Sequence, residues 1–290
     1  MKIGFIGLGI MGESMCENIV KKHNDKVYCN DLNRAQVEKL EKVGAIGCKD
    51  NIELVKLSDV IISMVPKSEH VKSLYTEVLP YLDSSKTIID MSTIDPSVSV
   101  EVANLVATKG AKFIDAPVVK SKPAAISGTL GIYVGCKEEL FDLVKPILAY
   151  MGNNIIRMGD NGKGLVMKIC HNTLVAQIQN GVNETLNLAA KFGIDFEEFA
   201  KAISYGGGQN FYLDGQWKNL KEENWNTAFS IENMQKDLGI CQNLSKENNF
   251  SMPGMENAKR VYDIAAENGI KKEDFRATFK VVRGDFNKNN

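Results

Sequence analysis

Three glycines, Gly7, Gly9 and Gly12, fall in the spacing G-x-G-x-x-G between the apolar run KIGFIG and a helical pattern. Each has its own physical use. Gly7 permits a tight turn, Gly9 lets a pyrophosphate approach the backbone, and Gly12 allows close helix–strand packing. The helix that follows offers unpaired N–H groups to phosphate charge. Ile10 and Met11 complete this loop. A second apolar run, KVYCND, ends in Asp31, 19 residues after Gly12, with Leu32 next to it. A carboxylate there accepts hydrogen bonds from both ribose hydroxyls and repels a 2′-phosphate. The chemistry implied is binding of a dinucleotide, NAD in preference to NADP, with Arg34 close enough to contact a phosphate.

Ligands in open parallel sheets sit at the carboxyl ends of strands. That adds Val65 and Pro66, which close DVIISMVP, and Ser92 and Thr93, which close KTIIDMST. At the latter pair a hydroxyl serves a ligand or caps the next helix equally well.

The elements that must hold these residues can be read from the apolar pattern. KIGFIG, DKVYCND, DVIISMVP, KTIIDMS, AKFIDAP and GIYVG are short, rich in Ile and Val, and spaced for βα repeats. Near-continuous apolar runs imply strands covered on both faces, hence a mainly parallel, doubly wound sheet flanked by helices. From Gly164 to Phe192 a helical period runs without proline, and further helical segments follow at 195–205, 230–248, 255–268 and 271–283. The reading is an α/β class chain: a Rossmann-type nucleotide domain over 1–161, then an all-α domain over 162–290 for substrate and oligomerisation, joined through the long helix. The turn-rich GDNGKG at 159–164 marks the boundary.

Composition removes several classes. With 35 Lys and Arg against 36 Asp and Glu the net charge is −1, so no electrostatic footprint for nucleic acid or an acidic membrane is present. No apolar run reaches transmembrane length. Lys2 and IGFIGLGIMG imitate a signal peptide, but Glu13 and Glu17 follow at once, so the segment is expected to stay as structure. The six cysteines are scattered without a CxxC pair and there are three histidines, which fits reduced thiols in the cytoplasm and no metal site.

Four segments in order resemble the β-hydroxyacid dehydrogenase family: FIGLGIMG at 5–12, DAPV at 115–118 with SGTL at 127–130, GKGLVMKICHN at 162–172, and KDLGI at 236–240. The resemblance spans nearly the whole chain. It implies an NAD-dependent oxidoreductase acting on CH–OH groups, with Lys168 as the catalytic lysine and Asn172 one helical turn later. Residues at i and i+4 share a helix face, so an ammonium and an amide there converge on one carbonyl oxygen. Such a lysine protonates the oxygen during reduction and removes the proton during oxidation. The resemblance also implies that His171 and Thr173 border the substrate and that Lys236 lies by the nicotinamide. A solvated helix face for Lys168, an i,i+4 pair of Lys236 with Glu232, and a core His171 are the plain alternatives.

One departure bears on the substrate. After DAPV the family pattern is Ser-Gly-Gly, which holds a carboxylate; here stand Val119, Lys120 and Ser121. A cation followed by a hydroxyl suits a tetrahedral, permanently anionic sulfonate, because an ammonium is a compact charge with three donors. In this the chain resembles the sulfolactaldehyde reductase branch, as it does in AISGTL at 125–130 and GIKKEDF near the end. The expectation is NADH-dependent reduction of 3-sulfolactaldehyde to 2,3-dihydroxypropane-1-sulfonate in sulfoquinovose degradation, with Lys168 as general acid. The alternatives are a 3-hydroxyacid or 4-hydroxybutyrate dehydrogenase acting on a carboxylate semialdehyde, and a non-catalytic dinucleotide-binding protein. Lys168 speaks against the latter, and against the related imine reductases. Lys120 as a solvent-facing loop lysine and Ser121 as a turn cap are the alternatives at that position. The length of the central helix leads us to expect a homodimer or homotetramer.

Overall fold

The computed structural model describes residues 1–286, which divide into two compact units, Met1–Lys168 and the residues from Ile169 onward. In the first unit β1 (Ile3–Ile6) leads into α1 (Gly12–Lys22), β2 (Val27–Asn30) into α2 (Arg34–Glu41), and β3 (Ile46–Gly47) into α3 (Asn51–Leu57). Then come β4 (Val60–Ser63), α4 (Ser68–Val78), β5 (Thr87–Asp90), α5 (Pro96–Ala107) and β6 (Lys112–Asp115). A second group follows: β7 (Val118–Val119), α6 (Lys122–Ser127), β8 (Leu130–Gly135), α7 (Glu138–Leu148) and β9 (Gly152–Gly159).

The strands form one sheet in the order β3-β2-β1-β4-β5-β6-β8-β7, with β9 on β8. The first six are parallel, β8 runs antiparallel to β6 and β7, and β9 is parallel to β8. The doubly wound sheet expected from the apolar runs is therefore present. Alternate residues feed two cores, one per face: Phe5, Ile62, Ile89 and Ile114 on one side, Ile6, Ile61, Ile88 and Phe113 on the other. Burial on both faces is why these strands lack the polar alternation of a one-sided sheet.

Three strands were not legible. β3 and β7 have two residues each. β9, GNNIIRMG, is largely uncovered, so its sequence carries Asn153, Asn154 and Arg157 where a central strand carries aliphatics.

The long helix is α8 (Lys163–Lys191). Its first turn belongs to the first unit: Leu165 is buried in the sheet core, and Asp115 accepts hydrogen bonds from the amides of Gly162 (2.7 Å) and Leu165 (3.1 Å). Asn161 is also tied to Phe113 O at 2.8 Å. The division by packing falls after Lys168, inside the helix.

The second unit contains α9 (Phe196–Ile203), α10 (Phe211–Lys221), α11 (Ile231–Glu247), α12 (Pro253–Glu267) and α13 (Phe279–Arg283). The inner face of α8 presents Ile169, Ala176, Val182 and Leu186 to two apolar clusters built with α10, α11 and α12. Helix α10 was not expected; its signal is Asn210, whose side chain caps the Leu213 amide at 2.8 Å. The helix expected over 271–283 is a short 3-10 turn, Phe275–Thr278, followed by α13. The preceding residues are drawn into loop pairing instead: Lys271 O and Glu273 O accept from Glu232 N and Ile231 N at 3.0 Å. Among the described residues no helix is long and apolar enough to cross a membrane.

Candidate active site

The dinucleotide residues gather at the carboxyl ends of β1, β2, β4 and β5. Gly7 has φ +94°, and a Cβ there would run into Met64 O on the neighbouring strand end. A Cβ on Gly12 would strike Gly7 O, whereas one on Gly9 would meet nothing within 4 Å. Tight turn, close packing and open approach are therefore the separate uses of the three glycines, and the open side at Gly9 fits a pyrophosphate. Asp31 is held in place by its own loop, accepting from Leu8 N at 2.6 Å and Asn33 N at 2.7 Å. A carboxylate has about four acceptor sites, so capacity for a ribose remains. Ile10 and Leu32, beside the loop, are 57 % and 102 % exposed apolar side chains. Met11 is half-buried beside them. The guanidinium of Arg34 donates to Cys48 O at 2.8 Å, an internal tie.

Ser92 has a structural role at its strand end. Its side chain is buried, donates to Asp90 Oδ1 at 2.7 Å, and accepts from Val65 N at 2.9 Å. It braces the loop that carries Val65 and Pro66. It does not cap α5, since Asp95 does so by accepting from Ser97 N at 2.8 Å. Thr93 is half-buried and Pro66 exposed. Asp90 also takes the Ser63 hydroxyl at 2.6 Å, and burial raises its pKa to about 6.

The DAPV segment has an unforeseen structural use. Asp115 is the buried anchor of the α8 N-terminus, its pKa raised to about 6 by burial. Gly135 and Gly164 flank it because a Cβ on either would press on its carboxylate. Beyond it, Val119 is 8 % exposed and packs on Gly131. Lys120 has φ +77°, an uncommon conformation for a residue with a Cβ. Its ammonium donates to Thr129 O at 2.7 Å, while the residue stays exposed. Ser121 occupies the N-cap position of α6 without a capping bond from its side chain.

Lys168 is 7 % exposed on α8, not on a solvated face. Asn172, one turn on, is equally buried, and its amide donates to Asp237 Oδ2 at 2.6 Å. Asp237 is buried, with the Lys236 ammonium 3.4 Å from Oδ1, an ion pair without hydrogen-bond alignment. Glu232 pairs with Lys272 at 2.7 Å. His171 is half-buried, and the hydroxyl of buried Thr173 makes no hydrogen bond among the described residues. Sequence reasoning missed Asp237; its one signal was its place beside Lys236 in KDLGI.

A Rossmann sheet with this glycine loop and acidic strand end, followed by a helical unit, defines an NAD-dependent oxidoreductase of CH–OH groups. Residues 2–159 match the family model described as the NAD binding domain of 6-phosphogluconate dehydrogenase. Residues 162–282 match that described as NAD-binding of NADP-dependent 3-hydroxyisobutyrate dehydrogenase. The chain is 32 % identical to 2-(hydroxymethyl)glutarate dehydrogenase of Eubacterium barkeri, over 97 % of this chain and 94 % of that protein. It is also 32 % identical to 3-hydroxyisobutyrate dehydrogenase of Pseudomonas aeruginosa, over 97 % and 98 % of the two chains. The solved Mycobacterium tuberculosis 3-hydroxyisobutyrate dehydrogenase, with L-serine, superposes with a TM-score of 0.90 at 28 % identity, covering 98 % and 99 % of the two chains. The protein belongs to the β-hydroxyacid dehydrogenase family, of which 3-hydroxyisobutyrate dehydrogenase is a member.

Proposed function

We propose that the protein interconverts a short 3-hydroxyacid and its aldehyde with NAD(H), holding the substrate's anionic head group at Lys120 and Ser121. The observation that carries this reading is the buried pair Lys168 and Asn172, one turn apart on α8, with the Asn172 amide oriented by Asp237. When bound, the nicotinamide supplies or accepts a hydride at the oxygen-bearing carbon. Lys168 gives a proton to the oxygen in reduction and takes it back in oxidation. Asn172 holds that oxygen on the same helix face, so the reacting groups stay aligned. Gly7, Gly9 and Gly12 receive the pyrophosphate, and Asp31 takes the ribose and disfavours NADP.

Relatives named for hydroxy acids support a carboxylate head group. One observation favours a second reading, a sulfonate: Lys120 stands in a left-handed conformation where the family pattern has glycine, and it brings an ammonium to the loop. On that reading the reaction is reduction of 3-sulfolactaldehyde, a step of sulfoquinovose degradation. Initial rates with NADH and NADPH against 3-sulfolactaldehyde, methylmalonate semialdehyde and succinate semialdehyde decide between them. Turnover of none of these aldehydes would remove both readings.

We further propose a homodimer or homotetramer, supported by Leu174 and Leu188 on α8 and the nearby Phe192, at 58 %, 59 % and 80 % exposure. Sedimentation equilibrium of the purified chain tests this, and a monomer at micromolar concentration would exclude it. A cytoplasmic location is supported by six cysteines without a disulfide, and fractionation of the source cells checks it.

A further inference from the structure

Asn18 lies on α1, the helix whose N-terminus adjoins the glycine loop, and is 7 % exposed. Its Nδ2 donates to Ser14 O at 3.0 Å, Ala125 O at 2.8 Å and Ile126 O at 3.1 Å. Three carbonyls around one amide nitrogen fix which way the side chain faces, because its oxygen would be repelled there. Ala125 and Ile126 belong to the last turn of α6, where Ala125 O also accepts from Gly128 N at 3.4 Å. The opposite end of that six-residue helix begins at Ser121, directly after Lys120. One buried side chain thus links the cofactor helix to the loop that carries the proposed head-group residues.

The surroundings leave α6 little freedom to take another position. Ala125 is fully buried in the same core cluster as Met15 and Ile19 of α1. Gly128 closes α6 at φ +66°, and a Cβ there would lie 2.6 Å from Lys22 Nζ and 3.0 Å from Asn18 Oδ1. Lys22, one turn beyond Asn18, is itself fastened to Tyr150 O at 2.6 Å. Lys120 closes the loop from the other side through Thr129 O. A displacement of α1 therefore reaches α6 through the buried Asn18–Ala125 bond, and α6 leads directly back to Ser121 and Lys120.

We propose that Asn18 is a positioning residue that couples cofactor binding to the placement of the head-group loop. Ordering of the α1 N-terminus by the pyrophosphate is passed through the Asn18 amide to α6, and so to Lys120 and Ser121. The proposal rests on the reading of those two residues as the anion-binding pair and adds how the site is readied for substrate. Asn18 touches neither ligand.

Hydrogen exchange of segment 120–129, with and without NADH, reads this link directly. In the wild-type protein NADH should slow exchange there by about fivefold or more, the lower range of site-to-site coupling. In Asn18→Asp, which keeps the shape and removes the donor, and in Asn18→Ala, the slowing should vanish. NADH affinity should stay within about threefold of wild type, while KM for the anionic aldehyde rises by roughly tenfold with little change in kcat, as for loss of one buried hydrogen-bonded tie. Two results overturn the proposal: an unchanged response of segment 120–129 to NADH in both variants, or equal losses in NADH affinity, kcat and KM, which mean general damage to α1. Lys120→Ala run in parallel keeps the two ideas apart. An unchanged KM in that variant overturns the head-group reading, whereas the exchange comparison judges the Asn18 link without reference to any substrate.

Discussion

The side-chain amide of Asn172 donates to Asp237 Oδ2 over 2.6 Å, and both residues are buried. A carboxylate there dictates that the amide presents its nitrogen to Asp237, which fixes the direction of everything else on that side chain. Replacing Asp237 by Asn removes the charge-assisted bond and lets the Asn172 amide rotate. A bond of that kind contributes about 1.5–3 kcal/mol, so kcat/KM should fall by roughly 10- to 100-fold. Steady-state kinetics with saturating NADH measure the loss, and NADH titration should show the cofactor still bound.

Lys168→Ala should lower kcat by about 10²- to 10⁴-fold, the usual share of a general acid–base group. Because Lys168 lies outside the glycine loop, NADH affinity by fluorescence titration should change little. A variant that retained wild-type kcat would exclude Lys168 as the proton donor.

The backbone of Lys120 makes a separate prediction about stability. At φ +77° any residue with a Cβ is strained, and glycine is not. Lys120→Gly and Lys120→Ala both lose the bond to Thr129 O, so comparing them isolates the backbone. The glycine variant should be the more stable by about 1 kcal/mol in urea unfolding. Both should raise KM for the anionic aldehyde, since neither carries an ammonium.

Asp90 gives the pH dependence. Burial raises its folded pKa to about 6, against about 3.9 in an unfolded chain. The folded state therefore holds the proton more tightly between these values. The group's contribution to stability is complete below pH about 4 and is lost as pH rises through about 6. The loss is on the order of 3 kcal/mol. Asp90→Asn cannot ionise, so its stability relative to wild type should increase from pH 5 to pH 7.5. Urea unfolding at several pH values checks this, and a constant difference would show that Asp90 does not titrate in that window.

What could be read along the chain was whatever depends on local spacing. The glycine loop, Asp31 and the Lys168–Asn172 turn each lie within one element or one βα unit, and the structure places them as their spacing requires. Six strands of four to six residues were visible because burial on both faces demands continuous aliphatic residues. β9 was hidden for the complementary reason: it is largely uncovered, and its polar residues read as loop. Ser92 left its role open because a serine at a strand end looks the same whether it faces a ligand or braces a neighbour. Only the positions of Asp90 and Val65 separate the two cases.

The sequence by itself determined the α/β-then-α order of the fold, the glycine loop and the one-turn spacing of Lys168 and Asn172, because helical and strand periods bring those groups together within a few residues. The tertiary structure alone decided the partnerships that close over long separations. Asp115 anchors α8, Asp237 orients Asn172, and Asn18 reaches α6 from 107 residues away in the chain. Each is a buried polar group that must find its hydrogen-bond partner wherever the packed core has placed one, and no local pattern records where that is.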